Sequence, residues 1–351
     1  RRTRNITVKN GIVEVLADNE KQGFGVRVIA DGAWGFASSA LLTTEEVDRV
    51  TALAVQIARA SALFKIHDVN LGPPVAHVGT YRTPVEIDPW QVSLDKKLEI
   101  LLEADQGLRA APGVMVATGN LVFWKENSTF ANSEGAFLEQ EIIESGGGIE
   151  ALAVKPESGE VQKRSYPNAF GRDQRREGWE SILALDLPGK APRLGEEAVA
   201  LLSAEQCPSG VTTVILGATQ LALQVHESCG HPIELDRVFG TEASYAGTSF
   251  LTPEKLGSFR YGSDIVNITA DATIPGGLGT FGWDDEGVPA QRTPIVRNGI
   301  FVGYLTSRET AQQLSGMAGD GTPATSGGAM RADGWNRIPL IRMTNINLEP
   351  G

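Results

Sequence analysis

The stretch "ALQVHESCGHPIELD", Ala222 to Asp236, holds two of the chain's four histidines, with a glutamate directly after the first. A zinc ion needs several nitrogen, sulfur or oxygen ligands converging on one point, and a hydrolytic zinc also needs a carboxylate near its water. His226 and His231 offer two ligands and Glu227 offers the base. The spacing is the difficulty. On a regular helix residues i and i+4 lie about 40° apart around the axis, whereas i and i+5 lie about 140° apart, so H-E-x-x-x-H is not simply H-E-x-x-H. A π-bulge or a loosened last turn would close the gap, and Gly230 and Pro232 are residues that disturb regular helix. Cys229, three positions after His226, lies close enough in helical angle to be weighed as a further ligand. Taken alone, the pair serves equally as metal ligands or as satisfied interior histidines at a helix end.

The elements that must position this stretch can be traced from the N-terminus. "ITVKNGIVEV" and "GVRVIADGAWGF" place Asn10-Gly11 and Asp31-Gly32 between alternating runs, which predicts two hairpins with type I′ turns and a meander. Thr43 and Glu46 form a capping box before an amphipathic run, so a helix is expected over residues 44–64. A second follows Ser93, carrying Leu94, Leu98, Leu101 and Leu102. Strands are expected between Val114 and Val161, broken at "NSEG" and "SGGG". Pro and Gly cluster in "DLPGKAPRLGEEA", which sets a domain boundary near Gly189. Beyond it come a short helix over 196–204, a buried β-branched strand "GVTTVILG", a packed helix Ala218 to Val225 leading into the histidines, and a third hairpin at Asn298-Gly299. The expectation is an α+β chain of two domains, 1–189 and 190–351, each with an antiparallel sheet and packed helices.

Composition narrows the function. The balance of 31 Lys+Arg against 43 Asp+Glu gives a net charge of −12 and no basic run, which argues against nucleic acid as a direct partner. Two cysteines are too few for a disulfide framework, and no apolar run reaches the roughly 18 residues of a membrane span. "RRTRNITV" has no apolar signal-peptide core, so a cytoplasmic protein is expected, one whose start without Met suggests a missing native N-terminus. "GGLGTFG" matches G-x-G-x-x-G at Gly277, Gly279 and Gly282 but lacks the strand-to-helix context of a dinucleotide site. The acidic "WDDEG" around Asp284, Asp285 and Glu286 reads first as a solvated turn, with duty at an active site the second possibility. His67 and His77 read as ordinary polar or packing residues.

Longer segments decide between the two readings of the histidine pair. "HESCGHPIELD", "IPGGLGTFGWDDEGVPAQRT", "NGIFVGYLTSRETA", "IPLIRMTNINLEPG" and the N-terminal "VKNGIVEVLADNEKQGFGVRVIADGAWGFAS" together resemble the TldD/PmbA family of zinc-dependent peptidases, in its catalytic TldD-like branch. The resemblance implies that His226 and His231 bind zinc and that Glu227 activates water. It also implies a third ligand, a cysteine in a segment following "MTNINLEPG". With the chain ending at Gly351, a C-terminal domain cut short is expected, with zinc weakly held or absent and the chain inactive. Peptide hydrolysis is the implied reaction, on extended or unfolded segments, by a homodimer or a heterodimer with a PmbA-like subunit. The alternative is a non-catalytic regulatory or partner subunit acting through protein–protein contacts. A metal-storage or redox role would need more thiols or carboxylates than this region supplies. Glu234 and Asp236 are candidates to orient the histidines, or else part of a solvated turn after Pro232.

Overall fold

The computed structural model describes residues 1–242, 247–318 and 325–350. Strands β1 (Arg2–Lys9) and β2 (Ile12–Glu20) pair antiparallel around Asn10 and Gly11, whose φ values of 49° and 76° are those a type I′ turn demands. The same pair of positive φ values recurs at Asp31-Gly32, between β3 (Phe24–Ala30) and β4 (Ala33–Ser39). Helix α1 (Thr44–Ala62) starts where the capping box predicts, with Thr43 Oγ1 accepting from the Glu46 amide at 3.3 Å. The expected meander does not form. β3 and β4 make a two-stranded sheet of their own and close Ala37 against Val50 and Ala54 of α1, while the free edge of β1 is taken by β6 (Val114–Ala131).

The main sheet has seven strands. Its central path runs β2-β1-β6-β7-β5, with β7 spanning Phe137–Val154 and β5 spanning Val78–Arg82; β8 (Val161–Tyr166) and β9 (Asp173–Arg175) also pair with β7. Pairing is antiparallel except where β5 joins β7 in parallel. Helices α2 (Leu94–Arg109), α3 (Trp179–Leu185) and α4 (Leu187–Ala200) pack on it, burying Leu101, Leu108, Phe123, Trp179 and Ile182. "SGGG", expected to end a strand, lies inside β7. A Cβ at Gly148 would strike the carbonyls of Gly171 and Tyr166, so the glycine lets a neighbouring loop lie directly on the strand. The Pro/Gly cluster at Gly189 is the first turn of α4, whose Pro188 stands where a helix has no amide to lose. The expected helix over 196–204 is that helix's last turn and a 3₁₀ turn, Leu201–Ser203.

The second half builds a four-stranded antiparallel sheet, ordered β12 (Ile300–Phe301), β11 (Arg292–Arg297), β10 (Ile268–Asp271), β15 (Asn345–Leu348). The β11–β12 turn is the third Asn-Gly hairpin, with φ of 49° and 76° at Asn298 and Gly299. A short pair, β13 (Met330–Arg331) and β14 (Leu340–Ile341), and helices α6 (Leu235–Val238) and α7 (Arg308–Ala318) complete this half. Its core gathers Ile233, Leu251, Ile295, Phe301 and Ile341. Three apolar clusters under mainly antiparallel sheets with separate helices make the fold α+β. No helix among the described residues is long and apolar enough to cross a membrane.

Three expectations are corrected here. "GVTTVILG" is neither strand nor buried: Val211 and Ile215 are almost fully exposed, and no strand among the described residues pairs with the segment. β-branched residues favour a strand only where neighbours supply a ladder and a face to pack on. Helix α5 (Ala218–Val225), expected to be packed, has no buried residue. Conversely "WDDEG" is not a solvated turn. Asp284 and Glu286 are buried, Asp284 accepting the amides of Glu286, Val288 and Met330, and Glu286 the guanidinium of Arg27 at 3.1 Å and the amide of Arg308 at 2.7 Å. The motif ties the β3–β4 hairpin to α7.

Candidate metal centre

At the end of α5 the chain continues into one π-helical turn, His226–Gly230, closed by the His231 amide donating to the His226 carbonyl. A bond spanning five residues widens the turn and brings i and i+5 back to one side. Nε2 of His226 and Nε2 of His231 are 3.2 Å apart, the rings meeting edge to face at 87°. The Glu227 carboxylate joins them, one ligand atom from each of the three lying within 4.8 Å of the others. Two imidazole nitrogens, each about 2.0–2.1 Å from a tetrahedral zinc, stand about 3.4 Å from each other. The separation here fits that donor pair. His226 and Glu227 are exposed and His231 half-buried, so the three share an open face.

Several contacts hold the widened turn. The Tyr261 hydroxyl donates to the Ser228 carbonyl at 2.7 Å, and Ser249 Oγ donates to the Pro232 carbonyl at 2.6 Å. Met343 lies against Gly230 so closely that a Cβ there would overlap its sulfur. Cys229 faces the other way. It is 1% exposed, packs in the second core, and burial pushes its thiol up to about 11. A thiol packed in that core is turned away from the exposed face of the histidines, so the alternative in which Cys229 joins them is not what the fold presents.

Behind His231 the polar groups are buried. His231 Nδ1 is 3.1 Å from Oε2 of Glu234, and Glu234 is fully buried. Arg237 donates to the same oxygen from Nη2 at 2.8 Å and from Nε at 3.2 Å. It also reaches Glu242 at 3.4 Å, and Glu242 is bound in turn by Arg342 at 3.1 Å. Asp236, the other candidate for orienting the histidines, accepts instead from the Ile341 amide at 3.0 Å, and burial pushes its carboxyl up to about 6. Tyr261, Arg237, Glu242, Arg342 and Met343 were not singled out by sequence. An arginine and a methionine inside the apolar "IPLIRMTN" are the one hint the sequence carries. Among the discounted motifs, the Gly279 amide donates to Asn345 in a turn leading to no helix, and His67 contacts Gln313 at 2.9 Å, away from the pair.

Residues 1–58, 87–204 and 209–351 match, in order, domain 1, the central domain and the C-terminal domain of the PmbA/TldA metallopeptidases. A metalloprotease of Methanocaldococcus jannaschii is 31% identical over 350 residues, covering 99% of this chain and 71% of that protein. The chain belongs to the TldD/PmbA family. Similar to this TldD/PmbA chain too is a metalloprotease TldD homolog of Haemophilus influenzae, 25% identical over 360 residues, covering 98% of the chain and 67% of that protein. TldE from Thermococcus kodakarensis shares the fold, with a TM-score of 0.66 at 19% identity over 100% of this chain and 73% of that one. The π turn with its two histidines lies in the part matched to the C-terminal domain.

Proposed function

We propose that this chain is a TldD-like zinc-dependent peptidase acting on unfolded or extended peptides. The observation that carries the proposal is the π turn, which gathers two imidazoles and a carboxylate on one open face. His226 and His231 hold the ion through their Nε2 atoms. When bound, the ion supplies Lewis acidity towards a peptide carbonyl and towards water. Glu227, exposed and adjacent to both histidines, takes a proton from water and delivers it to the leaving amine. The open face leaves room for an extended chain, and the metalloprotease names of the relatives agree with hydrolysis.

Assembly belongs to the same proposal: a homodimer, or a heterodimer with a PmbA-like subunit, in the cytoplasm. β2 ends the path of the main sheet and exposes Ile12 and Leu16, a surface of the kind a second subunit covers. A purely regulatory subunit would leave the histidine–glutamate–histidine set without a use. The deciding experiment is Glu227→Gln. Zinc content should stay at the parent level while cleavage of an unfolded protein such as reduced casein falls by about 10²–10⁴-fold. Undiminished cleavage removes Glu227 as the base.

A further inference from the structure

We propose that Glu234 is a positioning residue for the metal site, resting on the zinc-peptidase reading above: it fixes His231 in the tautomer whose Nε2 lone pair faces the ion, and Arg237, Glu242 and Arg342 hold it there. A carboxylate oxygen can only accept from a neighbouring imidazole nitrogen, so the 3.1 Å contact places the proton of His231 on Nδ1. Nε2, the atom 3.2 Å from Nε2 of His226, then carries the lone pair. Ligating histidines in metalloproteins are oriented by this kind of hydrogen bond to a carboxylate, and its loss typically costs 10–100-fold in metal affinity.

What distinguishes Glu234 is how fully it is confined. It is 0% exposed, its Oε2 receives both Nε and Nη2 of Arg237, and its Oε1 has no partner among the described residues. A buried carboxylate with one oxygen unpaired is costly to keep. Its other oxygen is the one that meets His231 Nδ1. That oxygen is fixed from behind in a row: Arg237 to Glu242 at 3.4 Å, and Glu242 to Arg342 through both of its oxygens, at 3.1 and 3.2 Å. Arg342 enters from β14's end, and the next residue, Met343, packs under Gly230 of the π turn. One short segment therefore braces both the backbone of the turn and the orientation of one of its imidazoles.

The test uses the whole chain, metal-free, with zinc added against a chromophoric chelator at pH 7. Glu234→Ala should weaken zinc about 10–100-fold. Glu234→Gln, whose amide oxygen still accepts from Nδ1, should recover part of that loss. A role in stability alone would lower the unfolding midpoint of both variants and leave zinc affinity in the folded protein within twofold of the parent, which overturns the proposal. Independently of zinc, nitrogen chemical shifts of His231 in the metal-free parent should report Nδ1–H, whereas Nε2–H overturns the inference. If the parent itself takes up no zinc, the outcome expected where the implied third ligand is lacking, the His231 tautomer alone decides the role of Glu234.

Discussion

Gly230 closes the π turn with φ −56° and ψ −57°, a backbone any residue adopts, so it is not a glycine for the sake of conformational freedom. It is a glycine for room. A Cβ would overlap the sulfur of Met343 and lie 3.2 Å from its Cγ and 3.3 Å from its Cε. Gly230→Ala should gain about 0.5–1 kcal/mol from reduced backbone entropy in the unfolded chain. Against that stands about 1–3 kcal/mol for forcing a methyl into a filled space, a net loss of about 1–2 kcal/mol. Met343→Ala removes a partly buried side chain, so its cost falls near the lower end of the roughly 2–5 kcal/mol seen for buried methionine. In the double variant the new methyl occupies space that the methionine has left, so the overlap disappears. The pair should then be less damaging than the sum of the single changes by about 1–2 kcal/mol. Urea unfolding of the parent, both single variants and the double variant gives this coupling directly. Additivity within about 0.5 kcal/mol would refute the steric argument. Zinc titration of the same four proteins adds the functional side: Gly230→Ala should weaken binding by moving His231, and Met343→Ala on the same background should restore part of it.

Two further outcomes follow from buried groups. Asp284 is pushed up to about 8, first by burial and then by the Glu286 carboxylate beside it. Its folded form keeps a proton that the unfolded chain releases near pH 4, so this contribution to stability is complete below about pH 4 and is lost as pH rises towards 8. Urea midpoints should therefore fall between pH 5 and 8, and a midpoint that rises over that range contradicts the assignment. Cys229 is buried with its thiol pushed up to about 11, whereas Cys207 is exposed. A disulfide reagent at pH 8 should modify one thiol per native chain and two after denaturation. Rapid modification of both in the native protein would show Cys229 facing the solvent side, with the histidines.

The features legible in the sequence are those whose cause lies within a few residues. Asn-Gly and Asp-Gly between alternating runs require a particular pair of positive φ values, and each of the three such turns adopts them. The π turn belongs to the same class. Two histidines five apart, with glycine and proline beside them, leave few local ways to converge, and the widened turn is one of them. What sequence missed depends on partners far along the chain. Asp284 and Glu286 look like solvent-facing acids until Arg27 and the amide of Met330 reach them, and the sequence leaves Glu234 between orienting a histidine and a solvated turn, while Arg342, over 100 residues later, fixes Glu242 behind it.

The misread segment "GVTTVILG" shows the same division from the other direction. Its β-branched residues satisfy every local preference of a buried strand, yet Val211 and Ile215 face solvent. The hairpin strands succeed with no stronger composition, because the turn itself delivers the pairing partner a few residues later. A lone apolar run has no such guarantee. Strand propensity is therefore informative about the fold in proportion to how near in sequence its partner lies, whereas the spacing of His226, Glu227 and His231 already limits how they can converge, and Tyr261, Ser249 and Met343 then hold the turn in place. Another distant residue, Arg342, stands behind His231 through Glu242, Arg237 and Glu234.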